Sequence, residues 1–275
     1  VLVVGGTGFL GTHIAQALRD RGFQVGVAGR QDLTQALESK FDAIVWSTGG
    51  RAKTRSELHE QHVDAPLRAL ATLEPGDRFL FLSSGEVYGP SEVPFCESAA
   101  PTGSTDYALA KLEGESRLHA AAEIQGTKLT CFRVALAYGE GQVGSMFVPS
   151  LVRHLVLRAP FATSPGAQTR DFIYASDVAD ATTIALGNGA PSGLFNLGGG
   201  VETSLRDMAL RVQREFDHQT GLSSLELLRF GELPYRVNEQ MRYLLSMDKT
   251  KSDLGFVPKV GLAEGVTRLV SAATR

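Results

Sequence analysis

The chain opens VLVVGGTGFLGTHIAQALRDRG, and this stretch restricts the fold more than any other. A short apolar, β-branched run reads as a buried strand, and the segment from Thr12 to Gly22 has helical spacing. Between them stand Gly5, Gly8 and Gly11. Gly5 permits a tight turn, Gly8 leaves room for a pyrophosphate to approach the backbone, and Gly11 lets the helix pack closely on the strand. The helix N-terminus offers free N–H groups and a partial positive charge to phosphate. A glycine triad alone is a weak signal. Placed between a strand and a helix, within a βαβ unit, it reads as a dinucleotide site.

The alternation continues. FQVGVAG reads as a strand, DLTQALESK as a short helix capped by Asp32, and FDAIVWSTGG as a strand. SELHEQHVDAPLRALATL reads as a helix, RFLFLSS as a strand, YALAKLEGESRLHAAAEIQG as a helix and KLTCFRVALAYG as a strand. This rhythm predicts an α/β fold with a doubly wound parallel sheet. After Gly139, glycine and proline become frequent, which predicts a smaller C-terminal substrate-binding lobe. The expected division is a dinucleotide-binding domain over 1–139, to which 171–198 returns, and a lobe made of 140–170 and 199–275.

Composition excludes several classes. A net charge of −3 over 275 residues argues against a nucleic-acid binder, which needs a basic patch. No apolar run approaches the ~20 residues that span a bilayer. The opening apolar run is too short for a signal peptide and lacks a charged flank, so a cytoplasmic protein is expected, with a residue or more before Val1 not represented. Cys96 and Cys131 are expected to be reduced thiols. His59 and His62 share a helical spacing, but no second cluster completes a metal site. Both read as solvated surface.

Chemistry concentrates in three places. The second strand ends VGVAGR, with Gly29 where a carboxylate would hold the adenosine ribose of NAD and Arg30 beside it. A guanidinium there pairs with a 2′-phosphate, so NADP is expected, with NAD as the alternative. Asp32 is close, but is assigned to capping the next helix. Tyr107 and Lys111, four apart in DYALAKLEG, share a helix face. An ammonium beside a phenol favours the phenolate and lowers a pKa of ~10, which suits proton transfer near neutrality. Ser84, at the C-terminal end of a strand, can bond the same substrate oxygen.

With GGTGFLG, SSGEVYG, YALAK, FRVALAYGEG, RDFIYASDVADA, FNLGGG and KSDLGFVP in this order, the chain resembles the extended short-chain dehydrogenase/reductases of the nucleotide-sugar epimerase/dehydratase type. The resemblance covers residues 1 to about 270 and implies a Rossmann fold. It implies Ser84, four residues before Tyr88, as the relay serine, with Ser83 the less favoured alternative. It implies Lys111 on the nicotinamide ribose, and a cofactor site of Gly5, Gly8, Phe9, Leu10, Gly11, Arg30, Thr48 and Lys111.

Three departures narrow the resemblance. Only about a dozen residues separate VGVAGR from FDAIVW, so the strand that usually covers the adenine is shortened or lost. An open adenine side suits a cofactor released each turnover. The dehydratases of this family carry an Asp-Glu pair where Gly85 and Glu86 stand, so dehydration is not expected. Glu86 either contacts a sugar hydroxyl or accepts bonds from loop amides. Finally, QTRDFIY and LPYRVNEQMRYLLSMDKTKSDLGF resemble sugar 4-ketoreductases, in which Arg170 and Arg236 would face the diphosphate unless held in ion pairs, as with Asp171 or Glu239. The expectation is an NADPH-dependent reductase of a nucleoside-diphosphate keto sugar at C4, working as a homodimer through helices near 56–73 and 107–125. An epimerase with tightly held NAD is the alternative, and a non-catalytic dinucleotide sensor a third reading.

Overall fold

The computed structural model describes residues 1–29, 31–49, 54–90 and 94–275. Arg30, on which the NADP expectation rests, lies outside the described residues. The chain runs β1 (Leu2–Val4), α1 (Phe9–Asp20), β2 (Gly26–Ala28), α2 (Leu33–Ala36), β3 (Ala43–Trp46) and α3 (Arg55–His59). A π-helical turn, Glu60–Asp64, joins α3 to α4 (Ala65–Leu70). Next come β4 (Arg78–Ser84), a 3₁₀ turn (Gly85–Tyr88), α5 (Asp106–Gln125), β5 (Lys128–Val134), β6 (Leu136–Tyr138), α6 (Phe147–Val156), β7 (Phe161–Thr163) and β8 (Thr169–Tyr174). The last part holds α7 (Ala175–Ala185), β9 (Gly193–Leu197), β10 (Glu202–Ser204), α8 (Leu205–Thr220), β11 (Leu228–Phe230), α9 (Asp248–Leu254) and α10 (Leu262–Ala273).

The main sheet has the order β2-β1-β3-β4-β5-β9, all parallel. Its strands are apolar on both faces because each face is covered by helices. Leu2 and Val4 join one core with Phe79 and Phe81, while Val3 joins the opposite core with Val45, Leu80 and Leu82. That alternation is the two-residue period of a strand. The sheet ends at β2, with only the one-turn α2 between it and β3.

KLTCFRVALAYG is two strands, not one. Ala135 donates the final bond to Leu197 of the main sheet, and β6 then leaves to pair with β8. β8 lies between β10 and β6 in a separate three-stranded sheet. α7, immediately after it, returns to pack on α1. The lobe has its own core, where Leu151, Leu155, Met208, Val212, Leu269 and Val270 of α6, α8 and α10 meet Phe172 and Tyr174.

The helix expected near 56–73 is interrupted by the π-helical turn. Pro66, in the first turn of α4, lacks the N–H that would bond the His62 carbonyl four residues back. Gly114 of α5 sits against that same carbonyl, so closely that a Cβ there would overlap it. Asp32 occupies the N-cap position of α2, but its side chain accepts no capping bond. Its carboxylate turns back toward Gly29, with Oδ2 3.5 Å from where a Cβ on Gly29 would lie. The capping role expected of Asp32 is therefore corrected. The one-turn helix is too short to draw the side chain away from the strand end.

The opening turn depends on Gly11 having no side chain. A Cβ there would overlap the Gly5 carbonyl and lie 2.7 Å from Gly6 Cα. Backbone cannot yield as a flexible side chain does, so Gly11→Ala should destabilise the fold by about 1–3 kcal/mol. Thermal unfolding and dinucleotide titration measure this, and both should weaken together. An unchanged melt with unchanged binding would contradict this packing.

Candidate active site

β4 and α5 build the site together. Ser84 is the last residue of β4, where its hydroxyl accepts from the Glu86 N–H at 3.2 Å and starts the 3₁₀ turn. Thr105 caps α5 by accepting from the Ala108 N–H at 3.1 Å, and its hydroxyl donates to Glu86 Oε1 at 2.7 Å. That pair sets the start of α5 against the Ser84 turn. Glu86 thus accepts from a hydroxyl, not from loop amides. Tyr107 follows in the first turn, and its hydroxyl shares a hydrogen bond with Ser84.

Lys111 lies one turn further on and is only 1% exposed. Its Nζ donates to the Leu82 carbonyl at 2.6 Å and to the Thr48 carbonyl at 3.4 Å. Burial brings its pKa down to about 7, although the charge of Glu115 opposes this. Tyr107 is pushed up to about 12, first by burial of its hydroxyl and then by the charge of Glu86, with the Ser84 bond pulling the other way. The lysine was expected to make this tyrosine acidic. It does not, because Nζ stands 5.8 Å from the Tyr107 ring centre and is engaged by two carbonyls.

Ser83 and Ser84 point to opposite sides of β4, as successive strand residues must. Ser83 donates to Glu115, which also forms a buried ion pair with Arg133 at 2.7 Å. That commitment leaves Ser84 as the serine beside Tyr107.

The glycine turn lies across the same edge. Gly5 adopts φ +81 and abuts Ser47 and Thr48. α1 begins at Phe9 with Gly8 as its N-cap, no capping side chain and no acidic residue in its first turn. The first N–H groups of a helix have no partner within it, so Phe9, Leu10 and Gly11 offer theirs outward. Thr48 Oγ1 is buried without a hydrogen-bond partner. These features fit a dinucleotide whose phosphates lie on α1 and whose far end reaches Thr48 and Lys111.

Two expectations fail here. Arg170 does not offer its guanidinium to a diphosphate. It is ion-paired with Glu239 and donates to the Gln240 carbonyl at 2.7 Å, with both charged side chains largely buried. Arg236 is exposed on the segment leading to that pair. The other failure is His62, expected on the surface. It is fully buried, edge-on to the Tyr107 ring with centres 5.4 Å apart, and neither ring nitrogen has a hydrogen-bond partner. Burial and the nearby Lys111 charge hold its pKa down to about 2. The sequence hid this, because the π-helical turn rotates His62 inward from the face its spacing implied. His59, its expected companion, is partly exposed and bridges Asp64 and Glu113.

Both cysteines are free, Cys96 exposed and Cys131 buried. Among the described residues no group of three or more His, Cys, Asp or Glu side chains is placed to hold a metal. No helix among them is long and apolar enough to cross a membrane.

Residues 1–198 match the NAD dependent epimerase/dehydratase family. The chain belongs to that family. Its members include enzymes that act on nucleotide sugars. A putative UDP-glucose 4-epimerase of Methanocaldococcus jannaschii is 26% identical, with 98% of this chain and 97% of that protein covered. The dTDP-4-dehydro-6-deoxyglucose reductase of Escherichia coli is 23% identical, with 99% and 96% covered. A solved structure of MoeE5 in complex with UDP-glucose and NAD superposes with a TM-score of 0.86 at 24% identity, covering 100% of this chain and 98% of that one.

His62 yields a pH prediction. Its folded pKa lies below the ordinary 6.5, so the unfolded chain binds the extra proton between the two values and stability falls as pH drops below 6.5. His62→Phe removes this cost. Melting curves from pH 7 to pH 5 should show the native protein losing about 1.4 kcal/mol per pH unit relative to the variant. Parallel curves would contradict the burial of a neutral imidazole.

Proposed function

We propose that this enzyme reduces a keto group of a nucleoside-diphosphate sugar, at C4, with NADPH. The observation that carries the reading is the Tyr107 hydroxyl, paired with Ser84 and kept protonated by burial. A phenol that retains its proton suits an acid that delivers one to a developing alkoxide. When bound, the nicotinamide supplies the hydride. Ser84 orients the carbonyl through the bond it shares with Tyr107. Lys111, titrating near neutrality and fixed by two carbonyls, holds the nicotinamide ribose and restores the proton of Tyr107. Glu86 is tied to Thr105 and contacts a sugar hydroxyl with its remaining acceptor capacity. The bare sheet edge at β2 supports a cofactor that exchanges at each turnover.

A second reading has one observation in its favour. The Asp32 carboxylate, turned toward Gly29, stands where it can accept from ribose hydroxyls and repel a 2′-phosphate. That arrangement suits NAD and an epimerase, which oxidises and re-reduces one carbon with no net consumption.

One assay separates the two. The protein is incubated with NADPH or NADH and a panel of nucleotide 4-keto sugars, and the reduced-nicotinamide absorbance is followed. Steady loss with NADPH at a rate at least about tenfold above NADH supports the reductase, a preference worth about 1.4 kcal/mol. Constant absorbance with scrambling of a sugar stereocentre supports the epimerase. On the NADPH reading, Asp32→Asn leaves NADPH turnover intact or improved; a loss of turnover with NADPH contradicts it.

A further inference from the structure

The segment Glu239–Ser246 ties the small lobe to the loop that carries Ser84. Gln240 Nε2 donates to the Gly89 carbonyl at 2.7 Å, and the Leu245 N–H donates to the buried carboxylate of Asp171 at 3.2 Å. Phe95 and the segment exchange backbone bonds, from the Phe95 N–H to Leu244 at 2.9 Å and from the Ser246 N–H to Phe95 at 2.8 Å. Arg170 anchors the near end through Glu239 and the Gln240 carbonyl.

Held at both ends, the segment delivers Tyr243 into the interior. The residue is 4% exposed, and its ring packs edge-on against Phe95 with centres 5.7 Å apart. Its phenol oxygen stands where the first side-chain atom of residue 85 would be. Tyr243 Cζ lies 2.9 Å, and Leu245 Cδ2 3.2 Å, from that point. Gly85 is not there for backbone freedom. Its φ is not positive, unlike that of Gly89 at +63 in the same loop. The reason for a glycine is the space that Tyr243 occupies.

Position 85 lies between Ser84, the partner of Tyr107, and Glu86. Expelling water from a sugar requires a base to take a proton from the carbon beside the carbonyl. It also requires an acid to protonate the departing hydroxyl. An acidic side chain at 85 would supply a second carboxyl group beside Glu86, and Tyr243 excludes it. Burial near Asp171, Tyr88 and Glu86 keeps the phenol protonated, so it acts as a neutral packing group.

We propose that Tyr243 is a positioning and specificity-determining residue of the sugar site. By standing against Gly85 it keeps that position bare, fixes Ser84 and Glu86, and confines the site to hydride exchange without loss of water. This rests on the nucleotide-sugar reading above.

The test is a double-mutant cycle on the full chain: Gly85→Ala, Tyr243→Phe and the pair, read by melting temperature and by kcat and KM. Gly85→Ala should lower kcat by about tenfold or more with KM within about twofold, since a displaced loop misplaces Ser84 more than it weakens binding. The double variant should regain much of that loss, because the hydroxyl that the new methyl would strike is gone. If Gly85→Ala does not fold, a folded double variant supports the proposal, and an unfolded one contradicts it. A native-like Gly85→Ala, or an equal loss in the single and double variants, overturns it. So does any product lighter by one water from the native enzyme and a nucleotide sugar, followed by mass spectrometry. Failure of the native enzyme to turn over any nucleotide sugar with either dinucleotide would sink the functional reading instead. The melting cycle would still read the packing of Tyr243 on Gly85.

Discussion

Helix α5 is fastened to strand β4 by three side chains one turn apart, and the position of the whole site follows from that contact. Tyr107 meets Ser84, Lys111 donates to the Leu82 carbonyl, and Glu115 accepts from Ser83. Residues four apart share a helix face, so a single docking angle satisfies all three. Gly114 makes the angle available, since any side chain there would strike the carbonyl of His62. Arg133 balances Glu115 in the interior, where an unpaired charge would be costly. The opposite edge of the site is set as tightly, by Gly11 against Gly5 and by Gly5 against Thr48.

Burial then decides the electrostatics. A lysine and a tyrosine in water would sit near their ordinary values, with the ammonium drawing the phenol toward ionisation. Here desolvation acts on both. It favours the neutral amine and the neutral phenol, and Lys111 is directed at carbonyl oxygens, away from the Tyr107 hydroxyl. The result is a proton-bearing phenol beside a lysine that titrates near pH 7. His62 extends the same low-dielectric pocket with an imidazole that stays neutral.

Much of this was legible in the sequence. The strand–glycine–helix opening, the βα rhythm and the YxxxK spacing are local patterns, and local patterns survive into the fold. The loss of a strand beyond β2 could be counted from the short interval before FDAIVW. What escaped were long-range contacts. No local rule places Glu239 on Arg170 or Tyr243 on Gly85, because their partners lie some 70 and 158 residues away in the chain. His62 escaped for another reason. Its inward turn follows from the missing N–H of Pro66, which breaks the helical spacing on which surface assignments rely. The Asp32 carboxylate escaped because a capping position was equated with a capping bond.

The central claim is that the docked α5 presents the Tyr107 hydroxyl as the acid of the reaction. Single-turnover mixing of Tyr107→Phe, loaded with reduced dinucleotide, against a nucleotide keto sugar tests it most directly. Removing the phenolic proton should slow hydride transfer by about 10²–10⁴-fold while nucleotide-sugar affinity stays within a few-fold. A variant that transfers hydride at the native rate would contradict the account.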